Sequence, residues 1–214
     1  MRRLRPRVPR QRAGLFQGGR PGDGDGVLEA AGCFFTRGSG AGLPVMGSEQ
    51  ARVVIRPYRD EDREAVVALA PRLTEGVAAW RDAGAVADAV RGWVTGSLEN
   101  AGGDGHGVLV AVREGLIGGF VTVATRRHFT GQVDAYIGEL AVSTEAEGTG
   151  VGRALVGAAE SWARERGLAR VTLETGAANV RARGFYRALG YAEEEVRLSK
   201  PVPVDGQAAS GGAG

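Results

Sequence analysis

From residue 53 onward the hydrophobic positions switch repeatedly between two periods. Val53 to Tyr58 reads as a strand, and Asp60 to Leu69 as a helix whose acidic opening suits the positive end of a helix dipole. Between Ala85 and Leu98, Val86, Ala89, Val90, Trp93 and Val94 recur at helical spacing, so Trp93 is expected to pack along the helix face. Three apolar, β-branched runs follow the turn cluster Gly102 to Gly107. They are Val108 to Val112, Ile117 to Thr125 and Val133 to Val142, and the turn residues between them predict successive antiparallel strands. Val151, Leu155, Ala158, Ala159 and Trp162 then form one helical stripe, stopped by Gly167. Val171 to Leu173 predicts a short strand, Asn179 to Leu189 a helix ended by Gly190, and Tyr191 to Leu198 a last strand. The sum is an α/β (α+β layered) fold: a mixed, mostly antiparallel central sheet with flanking helices.

One stretch carries more than structure. Glu139-Leu140-Ala141-Val142 ends a strand, and Glu147-Gly148-Thr149-Gly150-Val151-Gly152-Arg153 opens the next helix. A helix start offers unpaired N–H groups and a positive dipole end, and glycines let an anion approach them closely. The segment therefore predicts a phosphate socket, against the plainer reading of a Gly-rich turn in a chain with 36 glycines. A nucleotide P-loop would close with Lys and Ser or Thr, where Arg153 and Ala154 stand. A dinucleotide fingerprint would place a third glycine at Arg153.

Composition narrows the setting. The chain has 214 residues, 43% hydrophobic and 24% charged, enough for one domain with a substantial core. Residues 1–46 hold eight Arg against two Asp and one Glu, a surplus of about +5 that leaves about −3 for the rest. That tail lacks hydrophobic periodicity and is expected to be disordered, or to lie upstream of a true start at Met46. The domain is expected over residues 51–200, followed by a flexible Gly/Ala/Ser tail over 201–214. Its mild acidity argues against nucleic acid as a partner. No run is long enough to span a membrane, so a soluble, cytoplasmic protein is expected. The single cysteine, Cys33, and the isolated His106 and His128 supply no metal cluster.

The second informative segment runs from Glu174 to Tyr191. Asn179 suits a helix N-cap, and Ala182, Phe185, Tyr186 and Leu189 share one face. Tyr186 is either core filler there or a buried hydroxyl whose partner is a ligand. Glu139, a lone carboxylate inside an apolar strand, is either a base or the partner of an arginine. Glu174, ending the next strand, is the second candidate base. Trp80, Trp93, Tyr58 and Arg126 are further candidates to line an acceptor pocket, with helix-face packing the better account of Trp93.

Together the two segments resemble the GNAT superfamily of acyl-CoA-dependent N-acyltransferases. Its acyl-CoA motif is Gln or Arg, two residues, Gly, one residue, then Gly or Ala; here it runs from Glu147 to Gly152. Its second motif is met by Asn179, Ala182, Phe185, Tyr186, Gly190 and Tyr191. The resemblance covers about Val53 to Lys200 in element order and is specific from Tyr136 to Tyr191.

It implies acetyl-CoA as acyl donor, no metal, and an unidentified amine acceptor, in a monomer or homodimer. Backbone groups of Leu140, Ala141 and Val142 would pair with the pantetheine arm. Amides from Gly148, Thr149, Gly150, Val151, Gly152 and Arg153 would hold the pyrophosphate. Asn179 would contact the pantetheine region, and Tyr186 would protonate the leaving thiolate. Glu147 departs from the pattern, because a carboxylate there repels a pyrophosphate unless it meets a cation or turns to solvent. Arg153 is the expected source of positive charge. The implied activity is N-acetyl transfer to a primary amine in a ternary complex; the alternative is a catalytically silent acyl-CoA sensor of the same fold.

Overall fold

The computed structural model describes residues 52–202. The expected tail over residues 1–46 and nearly all of 201–214 lie outside them. Five strands form one sheet in chain order: β1 (Val54–Pro57), β2 (His106–Arg113), β3 (Leu116–Arg127), β4 (Val133–Val142) and β5 (Val171–Leu173). The first four pair antiparallel, and β5 adds parallel to β4 at the edge. A parallel neighbour needs a crossover, and α3 (Val151–Glu165) supplies it. Helices α1 (Arg63–Ala68) and α2 (Ala83–Glu99) precede the β2–β3–β4 meander, and α4 (Val180–Ala188) follows β5. The alternation read from the sequence thus gives the mixed sheet it predicts.

The sheet is covered on both faces. On one, Val151, Leu155, Ala159 and Trp162 of α3 pack on Ala111, Val121, Val123, Ala135 and Ile137. On the other, Val66, Val94 and Leu98 of α1 and α2 pack with Val108, Val110, Phe120 and Ala141. β3 lies centrally, so Gly118 to Val123 are all buried, without polar alternation apart from Thr122.

Two expectations fail locally. Residues 191–200 form no strand. Glu193, Glu194 and Glu195 are poor strand formers with mutually repelling charges, and the alternating Val196 and Leu198 stay 78% and 89% exposed. Trp93 is 60% exposed instead of packed. The buried stripe of α2 is narrow, running through Val90, Val94 and Leu98, and Trp93 falls beside it.

A short 3-10 turn, Ala70–Thr74, leads to Glu75 and Gly76, which press against the segment before α4. Gly76 has φ +78°, and a Cβ there would stand 2.3 Å from Asn179 Cβ and 2.8 Å from its backbone. Both the conformation and the space exclude a side chain. Gly76→Ala should therefore lower stability by about 1–3 kcal/mol. Urea unfolding checks this, and an unchanged midpoint would contradict the tight approach.

Candidate active site

The site begins with a break in the pairing of β4. Val123 pairs with Ile137, but Val121 pairs with Leu140, so Thr122 alone faces both Gly138 and Glu139. This is a β-bulge, which commonly re-aims a side chain. Strict alternation from Ala135 and Ile137 would place Glu139 in the apolar layer under α3. The bulge instead turns it to the α2 face. There Glu139 Oε2 accepts from Ser97 Oγ of α2 at 3.0 Å and from Thr122 Oγ1, while Thr122 Oγ1 accepts from Glu139 N at 2.9 Å. The residue is only 8% exposed. Among the described residues no arginine holds it, so the alternative of an arginine partner is not realised there. Gly138 lets Thr122 approach the bulge closely, since a Cβ there would lie 3.0 Å from Thr122 Oγ1.

Past the bulge, β4 has no outer neighbour among the described residues. β5 pairs only with Ala135, Tyr136 and Ile137. Backbone groups alternate in direction along an antiparallel strand. Ser143 N donates to Gly118 O at 2.9 Å, so Ser143 and Ala141 face β3, and Leu140 and Val142 face the open edge. Of the three residues expected to pair with a pantetheine arm, two therefore point outward and Ala141 points in. Val142 O already accepts from Arg72 Nε at 3.3 Å.

The glycine turn joins this edge to α3. Gly148 and Gly150 have φ +71° and +89°, and Gly150 caps α3 without a side-chain hydrogen bond. Ala154 N donates to Gly150 O, which leaves the amides of Val151, Gly152 and Arg153 without a backbone acceptor among the described residues. These are the free donors of a helix start. The Thr149 amide differs: it donates to Ala146 O at 3.3 Å.

Glu147 is met by two cations. Its Oε1 pairs with Arg72 and its Oε2 with Arg181 Nη2 at 2.6 Å. Arg72 also reaches Glu75 at 2.5 Å. The Arg181 guanidinium, with Arg72 behind it, holds the Glu147 carboxyl below the usual carboxylate range. Arg153, the expected cation, is exposed and makes no ion pair among the described residues.

On α4, Asn179 is the N-cap. Its Oδ1 accepts from Ala182 N at 2.9 Å and its Nδ2 donates to Glu75 O at 3.1 Å. Tyr186 is half-buried between Phe185 and Tyr191, with ring centroids 5.2 and 5.6 Å away. Burial pushes its hydroxyl up to about 12. Among the described residues that hydroxyl has no hydrogen-bond partner, and it is not sealed from solvent.

Glu174 is exposed and pairs with Arg126 at 2.9 Å, and Arg126 lies over the Tyr136 ring at 4.4 Å. Of the two candidate bases, Glu139 is the one that is sheltered and that meets no cation among the described residues. Trp80 is 73% exposed ahead of α2. Tyr58 lines a separate cavity of about 640 Å³ at the β1–β2 edge, with Arg63, His106 and Trp162. Among the described residues no cluster of His, Cys, Asp and Glu could hold a metal, and no helix is long and apolar enough to cross a membrane.

Sequence reasoning missed Arg72, Arg181, Ser97 and Thr122. Nothing local marks the first three, which arrive from remote elements. The bulge does leave a trace: counted by twos from Ala135, a carboxylate falls on an apolar face at Glu139.

Comparison with known proteins fits this geometry. Residues 73–191 match the model of the Acetyltransferase (GNAT) family. The chain is 29% identical over 116 residues to an aminoglycoside N(6')-acetyltransferase type 1 of Stenotrophomonas maltophilia, covering 52% of this chain and 74% of the relative. A putative acetyl transferase from Pyrococcus furiosus superposes with a TM-score of 0.58 at 25% identity, over 71% of this chain and 100% of the other. An aminoglycoside N-acetyltransferase solved in complex with CoA shares the fold, with a TM-score of 0.55 at 18% identity, over 72% of this chain and 97% of the other. With its family model matched across more than half its length, the chain belongs to the GNAT family of acetyltransferases.

Proposed function

We propose that this acetyltransferase moves an acetyl group from acetyl-CoA to a primary amine by direct attack in a ternary complex. The observation that carries the reading is the open outer edge of β4, set between a sheltered carboxylate at Glu139 and the free amides opening α3. An extended pantetheine arm fits such an edge as an added strand. Leu140 and Val142 are its partners, and Arg72 gives up Val142 O when the arm takes it. The amides of Val151, Gly152 and Arg153, with the Gly148 and Gly150 turn, receive the pyrophosphate. Asn179 holds α4 in place as its cap, bringing Tyr186 to the sulfur.

In the chemical step the amine nitrogen bonds to the acetyl carbonyl carbon, and the carbon–sulfur bond breaks. Glu139 takes the proton lost by the amine, directly or through water. The Val142 amide stabilises the developing oxyanion, and Tyr186 gives its proton to the departing sulfur.

The test is thiol release from acetyl-CoA by the purified chain across primary amines. The panel includes aminoglycosides, the acceptors in the name of the Stenotrophomonas relative, with polyamines, amino acids and peptides. Turnover of at least one amine is expected. Thermal stabilisation by CoA with no turnover of any would favour the silent sensor instead.

A further inference from the structure

In the motif that opens α3, the first position is Glu147 rather than the Gln or Arg of the family pattern, and the chain surrounds that carboxylate with guanidinium groups from two other elements. Arg72 comes from the 3-10 turn before α2, and Arg181 from the first turn of α4. Glu147 immediately precedes Gly148, and a Cβ at Gly152 would stand 3.4 Å from Phe185 of α4, so the helix start and α4 lie against each other where Arg181 meets Glu147.

Their situations differ. Arg72 is largely covered and spent: it serves Glu147, Glu75 and Val142 O at once. Arg181 is 65% exposed and touches Glu147 through Nη2 alone. A guanidinium has five N–H donors in a rigid fork that suits phosphate oxygens. Its remaining donors have no partner among the described residues. A bare carboxylate at Glu147 would repel a pyrophosphate, but Arg72, shared with Glu75, and Arg181 together offset its charge, and it fixes Arg181 in return.

We propose that Arg181 is a ligand of the donor's pyrophosphate, positioned by Glu147, which Arg72 holds from its other oxygen. The motif's missing positive charge is thereby supplied from α4. This rests on the reading of the donor as acetyl-CoA, and the test separates the two. CoA and pantetheine, which has no phosphate, are titrated against the full chain and against Arg181→Met and Arg181→Lys. Binding is followed by calorimetry for CoA and by thermal shift at high concentration for pantetheine.

Arg181→Met should weaken CoA about tenfold, the scale of one lost charge-assisted contact, and leave pantetheine within about twofold. Arg181→Lys should fall between, and the methionine variant should lose part of the salt dependence of CoA binding. Arg181 is exposed on a helix surface, so both variants should keep the parent's melting temperature. Equal losses for both ligands would reduce Arg181 to a structural tie between α4 and the glycine turn, overturning the proposal. So would unchanged CoA affinity. If the folded parent fails to bind CoA at all, the donor reading falls first and takes this inference with it.

Discussion

Replacing Tyr186 with Phe should reduce turnover about a hundredfold while leaving CoA affinity within about twofold, the range in which a positioned general acid operates. The ring contacts with Phe185 and Tyr191 survive the change, and the hydroxyl has no partner among the described residues to lose. Stability should therefore move by no more than about 0.5 kcal/mol. Burial pushes the Tyr186 hydroxyl up to about 12, so its proton is retained across the whole working range. A neutral acid whose pKa is raised stays competent below that value and is lost only as pH rises through it. The rate profile of the parent should accordingly show no alkaline fall due to Tyr186 between pH 7 and about 10, the unperturbed tyrosine value. Steady-state kinetics with any accepted amine decide the matter. Equal turnover for Tyr186→Phe and parent would remove the acid role.

Glu139→Gln should cost more, about 10²- to 10³-fold in turnover at neutral pH. The substitution keeps a carbonyl oxygen to accept from Ser97 and Thr122, so the bulge and its packing persist. What it removes is the ability to take a proton. An alkyl ammonium has a pKa of about 10.4, so at pH 7 nearly every acceptor arrives protonated. The deficit should shrink as pH rises toward that value, because the amine then arrives free. A deficit independent of pH would point to positioning, and an absent deficit would remove Glu139 from the chemistry. The same series on Glu174→Gln is the control. Its carboxylate is exposed and bound to Arg126, so it should show little loss.

The layout of strands and helices was legible because apolar spacing changes period cleanly along the chain. The segments that carry the family match, and on which the donor side is proposed, stand in the sequence for a related reason: a helix start paved with glycine, and a second helix with Asn179 and Tyr186 at fixed offsets, are local patterns. The charge around Glu147 was not legible. Arg72 lies 75 positions upstream and Arg181 in another helix, and their meeting depends on how the 70–74 turn and α4 fold against the glycine turn. The last strand was misread because alternation at Val196 and Leu198 says nothing about whether a surface exists to receive them. Trp93 was misread because a helical stripe drawn from spacing is wider than the one that packs.

The extra residue in β4 also governs how this strand can vary. Toward α3, the strand presents its odd positions up to Ile137 and its even positions from Leu140 onward. The record of tolerated substitutions must therefore change phase within the dipeptide Gly138-Glu139. A relative lacking the extra residue would carry its carboxylate directly after the position of Ile137. Any alignment drawn through this point without a one-residue gap would match the interior of one protein to the surface of the other.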